Sequence, residues 1–327
     1  MSTIALSSRR AQYLSRFQSL IALVVLCIVI GLLSDKFFTA GNGWNVLRQV
    51  AVNVCIAVGM TLIVLTAGID LSVGSVLALC GAITAELLKN GIEMPANNLF
   101  IGFTILGAVL VGLIAGTILG LFNGFVITKF RVPPFVATLA MLTIARGLTM
   151  LWTKGHPVSN LGENFLYIGT GWFLGIPVPV WIAGIVVLLA LFVTQKTKLG
   201  RYIYAIGGNE QAAVLSGINI SKVKMTVYAI GGALAAAGGI IVTSRLDSAQ
   251  PNAGTGYELD AIAAVVIGGT SLSGGRGSIG GTVLGAVIIG VLNNGLVLLN
   301  VSPFWQQVVK GAVILAAVII DRTNKKD

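Results

Sequence analysis

The 327-residue sequence predicts an all-α, polytopic membrane protein with about ten transmembrane helices and both termini on the cytoplasmic side. Three observations predict it. Apolar residues make up 56% of the chain and charged residues 10%, with a mean hydropathy of +0.94, a balance that fits neither a soluble globular domain nor a disordered chain. Apolar stretches of the length that a hydrocarbon layer demands recur from end to end. The basic residues between those stretches gather on one side.

Crossing about 30 Å of hydrocarbon takes roughly 20 residues of helix. Residues 18–33 follow Arg9, Arg10 and Arg16 and no small-residue cleavage pattern follows them, so they are expected to remain as an anchor. Residues 46–66 and 72–88 form the next two spans, separated by a break at Gly68, with Ser72 placed to cap the third. Residues 98–127 are long enough to tilt, and Gly112, Gly116, Gly120 and Gly124 recur every fourth residue, which lets another helix approach closely. Residues 134–152 and 178–194 are spans five and six, joined by the largest outer loop, which holds Trp172 and Phe173. Span seven, residues 223–243, carries a second small-residue face of Gly231, Gly232, Ala235, Ala236 and Gly239. Residues 257–269 are too short to cross unaided, and residues 279–299 and 303–320 complete the set. With this threading, fourteen basic residues fall inside: Arg9, Arg10, Arg16, Lys129, Arg131, Lys196, Lys198, Arg201, Lys222, Lys224, Arg276, Arg322, Lys325 and Lys326. Five fall outside, Lys36, Arg48, Lys89, Lys154 and Arg245, which supports the orientation. The expected organisation is a cytoplasmic segment 1–17, a membrane domain 18–321 and a cytoplasmic tail 322–327.

Several chemistries are excluded or disfavoured. The net charge of +10 is explained by membrane orientation, because no basic cluster interleaves with aromatics on a polar face. Cys27, Cys55 and Cys80 lie in apolar runs without CxxC spacing, and with a single histidine neither a disulfide framework nor a zinc site is plausible. No glycine is followed by lysine, so no P-loop can cradle ATP phosphates. The string 275–280 (GRGSIG) has no strand before it and no acid about 20 residues on, so it reads as a turn rather than a dinucleotide site. His156 sits beside Pro157 in a solvated loop, and no hydrolytic triad is credible.

Residues 196–224 do not belong in lipid. Lys196, Lys198, Arg201, Lys222 and Lys224 face one acid, Glu210, and each basic residue would cost roughly 2.5–3.5 kcal/mol at a bilayer centre. The middle reads as a short water-exposed helix, capped by Asn209, built from 210–215 and ended by Gly217 in a left-handed conformation. Such a helix is a handle for another protein. Within the spans, ionisable and amide groups must face protein or water. Asp70 with Ser72 reads first as a helix cap, and Asn53, Asn123, Asn293 and Asn294 either glue helices or line a polar path. Arg146 and Lys310 need partners, for which Glu258 and Asp260 are available. Gly68, Leu71, Ser72 and Gly74 echo Gly269, Leu272, Ser273 and Gly275, and Asn123-Gly124 echoes Asn294-Gly295, but the two offsets differ. A five-plus-five duplication is permitted, not established.

The string 200–218 (GRYIYAIGGNEQAAVLSGI) resembles the cytoplasmic coupling loop of permease subunits in ABC-type sugar importers. Residues 66–74 (TAGIDLSVG), 131–139 (RVPPFVATL), 254–272 (GTGYELDAIAAVVIGGTSL) and 292–295 (LNNG) resemble other motifs of that family, so the likeness covers nearly the whole chain after residue 18. The resemblance implies a homodimer of ten-helix, BtuC-like subunits in the bacterial inner membrane. It implies a periplasmic sugar-binding protein above and a cytoplasmic ATPase with two nucleotide-binding domains below, ATP and magnesium being used there and no cofactor being bound by this chain. The cargo implied is a monosaccharide, D-ribose foremost, with xylose, galactose or a signalling furanose as alternatives. Arg201, Gly208, Asn209, Glu210, Ala212, Ala213 and Gly217 are then the ATPase-coupling residues, with Ala212 and Ala213 as a smooth contact face. Asn53, Asp70, Ser72, Asn123, Asn293 and Asn294 are the pathway or gating candidates. The rivals are an ion-coupled secondary transporter with Asp70 as the ion site, and a purely structural membrane protein, which leaves both Asp70 and residues 196–224 without a role.

Overall fold

The computed structural model describes residues 19–94 and 99–323, so the expected 1–17 segment and most of the 322–327 tail lie outside the described residues. The chain begins with a short apolar helix α1 (Ser19–Leu33), followed by α2 (Ala40–Leu65) and α3 (Val73–Lys89). A hairpin of β1 (Ile92–Met94) and β2 (Leu99–Ile101) leads to α4 (Ile105–Lys129) and α5 (Pro134–Trp152). The next connection holds β3 (Val158–Ser159), α6 (Glu163–Thr170) and the pair β4 (Trp172–Phe173) and β5 (Ile176–Pro177). Then come α7 (Val178–Lys196), α8 (Lys198–Gly208), α9 (Glu210–Leu215) and α10 (Ile220–Arg245). After β6 (Ser248–Ala249), which pairs with β3, the chain finishes with α11 (Tyr257–Ile267), α12 (Ile279–Leu298) and α13 (Pro303–Thr323). Among the described residues six helices, α2, α4, α5, α7, α10 and α12, are long and apolar enough to cross a membrane.

α2 and α10 form the centre. From Val50 to Leu65 nearly every α2 side chain is buried, and α10 is buried along most of its length. The peripheral helices show the opposite pattern. Leu110, Ile114, Ile118 and Phe125 of α4 and Ile185, Leu188 and Phe192 of α7 all point outward. An apolar exterior around an interior that holds Asp70, Asn123, Asp260 and Asn294 is the arrangement a bilayer demands.

The two expected glycine faces prove to be two sides of one interface. A Cβ on Gly124 would lie 2.7 Å from the Met225 Cα, and one on Gly116 would lie 2.6 Å from the Ala236 Cβ. α4 and α10 therefore touch backbone to backbone, as small residues permit. α10 uses Gly231 in the same way toward Gly59 of α2, and Gly239 toward Leu77 of α3.

The structure moves some boundaries. Span four does not begin at 98: Leu99–Ile101 pair with Ile92–Met94, and α4 starts only after Thr104, whose hydroxyl accepts from the Gly107 amide at 3.2 Å. Hydropathy continued through the strand because its residues are apolar. α2 begins earlier than residue 46, because the Thr39 hydroxyl accepts from the Asn42 amide and opens the helix at Ala40. Residues 198–208, expected as loop, form the full helix α8.

Candidate functional site

α8 and α9 make a bent pair at one end of the bundle. The Thr197 hydroxyl accepts from the Gly200 amide at 3.3 Å and starts α8. Asn209 is extended, at φ −160°, and its side chain accepts from the Ala212 amide at 2.9 Å, so one residue ends α8 and caps α9. α9 closes with the Ile218 amide donating to the Ala213 carbonyl and the Gly217 amide donating to the Val214 carbonyl, while Gly217 takes φ +79°. This is the Schellman pattern that glycine favours. The Asn219 side chain then accepts from the Lys222 amide and starts α10.

The outward face of α9 differs from the expected one. Ala213 is buried against its own chain and cannot be part of a contact face, whereas Leu215 is 90% exposed and Val214 54% exposed beside the exposed Ala212. Helical phase decides this: Ala213 points back toward the bundle, and its neighbours point away. Glu210 and Arg201 are exposed, and Glu210 accepts from Lys224 Nζ at 2.8 Å. That ion pair ties α9 to the first turns of α10.

The inner side of α8 is fixed to two linkers. Ile203 and Ile206 are fully buried. At Gly207 a Cβ would collide with the Leu65 carbonyl, where α2 ends, and with the Gly275 amide. The Gly275 amide itself donates to the Leu65 carbonyl at 3.0 Å, and the Tyr204 hydroxyl donates to the Gly277 carbonyl at 3.0 Å. Thus α8, the α2–α3 linker and the α11–α12 linker meet through backbone at one junction. Gly208 lies at the rim, with none of the described residues within 4 Å of where its Cβ would be. The internal echo marks these two linkers, but nothing in sequence spacing showed that they touch. Tyr204, Gly207 and Gly274, which packs on Ala67, were missed as junction residues.

The α2–α3 linker continues into the core. Ser72 does not cap α3 with its side chain, contrary to expectation; its backbone is already helical, at φ −84° and ψ −9°. Instead its hydroxyl donates to Asp70 Oδ1 at 2.6 Å, and its amide donates to the same oxygen at 2.8 Å. Asn123 Nδ2 of α4 donates to the Ser72 hydroxyl at 3.0 Å. Tyr228 of α10 donates through its hydroxyl to the Ile69 carbonyl at 3.2 Å. Asp70, Ser72 and Asn123 are all buried, so α4 and α10 hold the linker through buried polar contacts.

The remaining candidates separate. Asn294 of α12 and Asn42 of α2 exchange amide hydrogen bonds of 2.9 and 3.0 Å, joining the two helices. Asn53 is half-buried on α2, and its side chain bonds to none of the described residues. Asn293 Nδ2 donates to Asp260 Oδ2 at 3.1 Å, and Lys310 Nζ of α13 donates to the same oxygen at 3.0 Å. Lys310 therefore pairs with Asp260, while Arg146 turns to the Pro251 and Ala253 carbonyls at 2.7 and 2.9 Å. The sequence-predicted residues thus fall into three places: the α8–α9 end, the linker network, and a cluster on α11 to α13. Among the described residues no group of three or more His, Cys, Asp and Glu side chains could hold a metal ion.

A bundle with an apolar exterior, a buried polar linker and a solvent-facing helix pair has the anatomy of a transport component. The family model described as branched-chain amino acid transport system / permease component matches residues 43–318. The chain belongs to this permease family. As a member it is a multi-pass membrane permease and not an enzyme. It is 52% identical to the ribose import permease protein of Escherichia coli K12, over 100% of both chains. It is 50% identical to the ribose import permease protein of Bacillus subtilis 168, over 92% of this chain and 91% of that one. The D-allose transport system permease protein of Escherichia coli K12 is 38% identical, over 97% of this chain and 94% of that one. No solved structure matches the chain.

Proposed function

We propose that this permease is the membrane subunit of an ATP-driven ABC importer that carries D-ribose across the bacterial inner membrane. The likeness to ribose import permeases over the full chain supports the sugar, and the family supports the transport role. The observation that carries the mechanism is the backbone contact of Gly207 with Leu65 and Gly275. In this reading α9 lies in a groove of a cytoplasmic ATPase with two nucleotide-binding domains, a helix-in-groove contact led by Leu215 and Val214. ATP and magnesium act in that partner, and this chain binds no cofactor.

Motion imposed on α9 passes along α8 to both linkers without a flexible segment between them. The linkers end at α2, α3, α11 and α12, so a shift there re-aims four helices. Two copies of the subunit, each with ten spans, cytoplasmic termini and a BtuC-like arrangement, frame the path between them. The membrane domain is 18–321, flanked by cytoplasmic segments 1–17 and 322–327. Arg201, Gly208, Asn209, Glu210, Ala212 and Gly217 shape the coupling end, Ala213 anchoring it from inside. A periplasmic sugar-binding protein delivers the cargo. Asn53, Asp70, Ser72, Asn123, Asn293 and Asn294 supply the polar groups along or beside the path.

The ion-coupled rival makes Asp70 the ion site, whereas here Asp70 Oδ1 accepts two hydrogen bonds from Ser72, which fits a tie within the linker. Reconstitution with the ATPase and the loaded binding protein tests the reading. D-ribose accumulation should require ATP hydrolysis and survive a protonophore. Accumulation that stops when the proton gradient collapses at constant ATP would contradict it.

A further inference from the structure

We infer that Asp260, Asn293 and Lys310 form a hydroxyl-binding station for the transported sugar, an inference that rests on the monosaccharide reading above. Asp260 is 3% exposed, and its Oδ1 has no hydrogen-bond partner among the described residues. The buried Asn293 Oδ1 has none either. Both side chains are fixed by their other atoms, since Asp260 Oδ2 accepts from Asn293 Nδ2 and from Lys310 Nζ. A buried acceptor without a donor is rare in a folded protein and calls for a reason.

The chemistry of the three groups selects the ligand. The unpartnered atoms are acceptors, which argues against an anion. Lys310 already supplies the charge that Asp260 needs, which argues against a cation. A neutral hydroxyl fits, because it can donate to Asp260 Oδ1 or Asn293 Oδ1 and accept from the ammonium. A pentose or hexose offers several adjacent hydroxyls, and a carboxylate beside an amide and an ammonium presents complementary acceptors and donors to neighbouring pairs.

The placement suits a path. Asp260 lies in the first turn of α11, Asn293 in the last turns of α12 and Lys310 in the second turn of α13, all toward the end of the bundle opposite α8 and α9. The Lys310 side chain is 23% exposed, so the cluster reaches the surface of the chain. A lysine there cannot face hydrocarbon at low cost, so that surface borders water or a second copy.

The test uses the complete importer in lipid, with ATPase and saturating loaded binding protein, and compares D-ribose with each monodeoxyribose. The wild type should carry at least one deoxy analogue about tenfold more slowly, because the station's acceptor is left unpaired. Asn293→Leu and Asp260→Asn should carry D-ribose about tenfold more slowly and that analogue no more slowly still, with binding-protein-stimulated ATP hydrolysis unchanged. Asp260→Asn keeps the shape of the side chain and covers the case in which Asn293→Leu fails to assemble. Equal discrimination in wild type and variants, or loss of ATPase stimulation together with transport, would overturn the station. A wild-type complex that hydrolyses ATP but moves no monosaccharide would instead overturn the reading on which it rests.

Discussion

Gly207→Ala is the sharpest perturbation of the junction. Its Cβ would meet the Leu65 carbonyl and the Gly275 amide, both backbone atoms that cannot rotate away. Overpacking of this kind costs about 1–3 kcal/mol. Parting Leu65 from Gly275 also breaks their hydrogen bond, worth about 1 kcal/mol net. The sum is about 2–4 kcal/mol at the point where α8 meets both linkers. If about 1.4 kcal/mol of that appears in the turnover step, uptake falls tenfold. Gly208→Ala is the internal control, since nothing lies within 4 Å of its added methyl. The assay pairs sugar uptake with ATP hydrolysis by the reconstituted complex. Gly207→Ala should lose most uptake while the ATPase still turns over, and Gly208→Ala, at the rim of the coupling end, should lose far less. Equal behaviour of the two variants would refute the reasoning, because only the methyl at 207 meets Leu65 and Gly275.

Three further outcomes are expected. Glu210→Lys removes an exposed ion pair with Lys224, worth about 0–1 kcal/mol, so thermal unfolding in detergent should scarcely shift while uptake is abolished through loss of docking. Gly217→Val forces a β-branched residue to φ +79° with no steric contact to blame, so any loss of uptake with intact membrane insertion reports the shape of the α9 end. Asn123→Leu strips the Ser72 hydroxyl of a buried donor at about 1–3 kcal/mol, and a lowered unfolding midpoint would mark Asn123 as a helix tie. An unchanged midpoint with reduced uptake would mark it as part of the path.

Much of the architecture was legible because hydropathy and caps are local. Pro134–Trp152 begins and ends at the expected residues, since proline opens the helix and α5 has no rival signal at either end. The Asn209 cap and the Gly217 turn were readable for the same reason. What failed was tertiary. Leu99–Ile101 is as apolar as a helix, and only its pairing with Ile92–Met94 makes it a strand. Ala213 could be assigned a side only once α8 set the angle of α9. The Asp260–Lys310 pair joins helices 50 residues apart, and sequence offered Glu258 as an equal partner. Ser72 carried a capping residue's chemistry but spent it on Asp70, which became visible only with Asn123 placed beside it.

The claim that α9 takes the motor's motion is tested most directly by a single cysteine. In a chain freed of Cys27, Cys55 and Cys80, Leu215→Cys places a thiol on the outward side of α9, where Leu215 is 90% exposed. A short bifunctional reagent applied to membranes should join it to the ATPase, with a yield that changes between ATP-bound and nucleotide-free states. Absence of that product in membranes that actively import sugar would contradict the account.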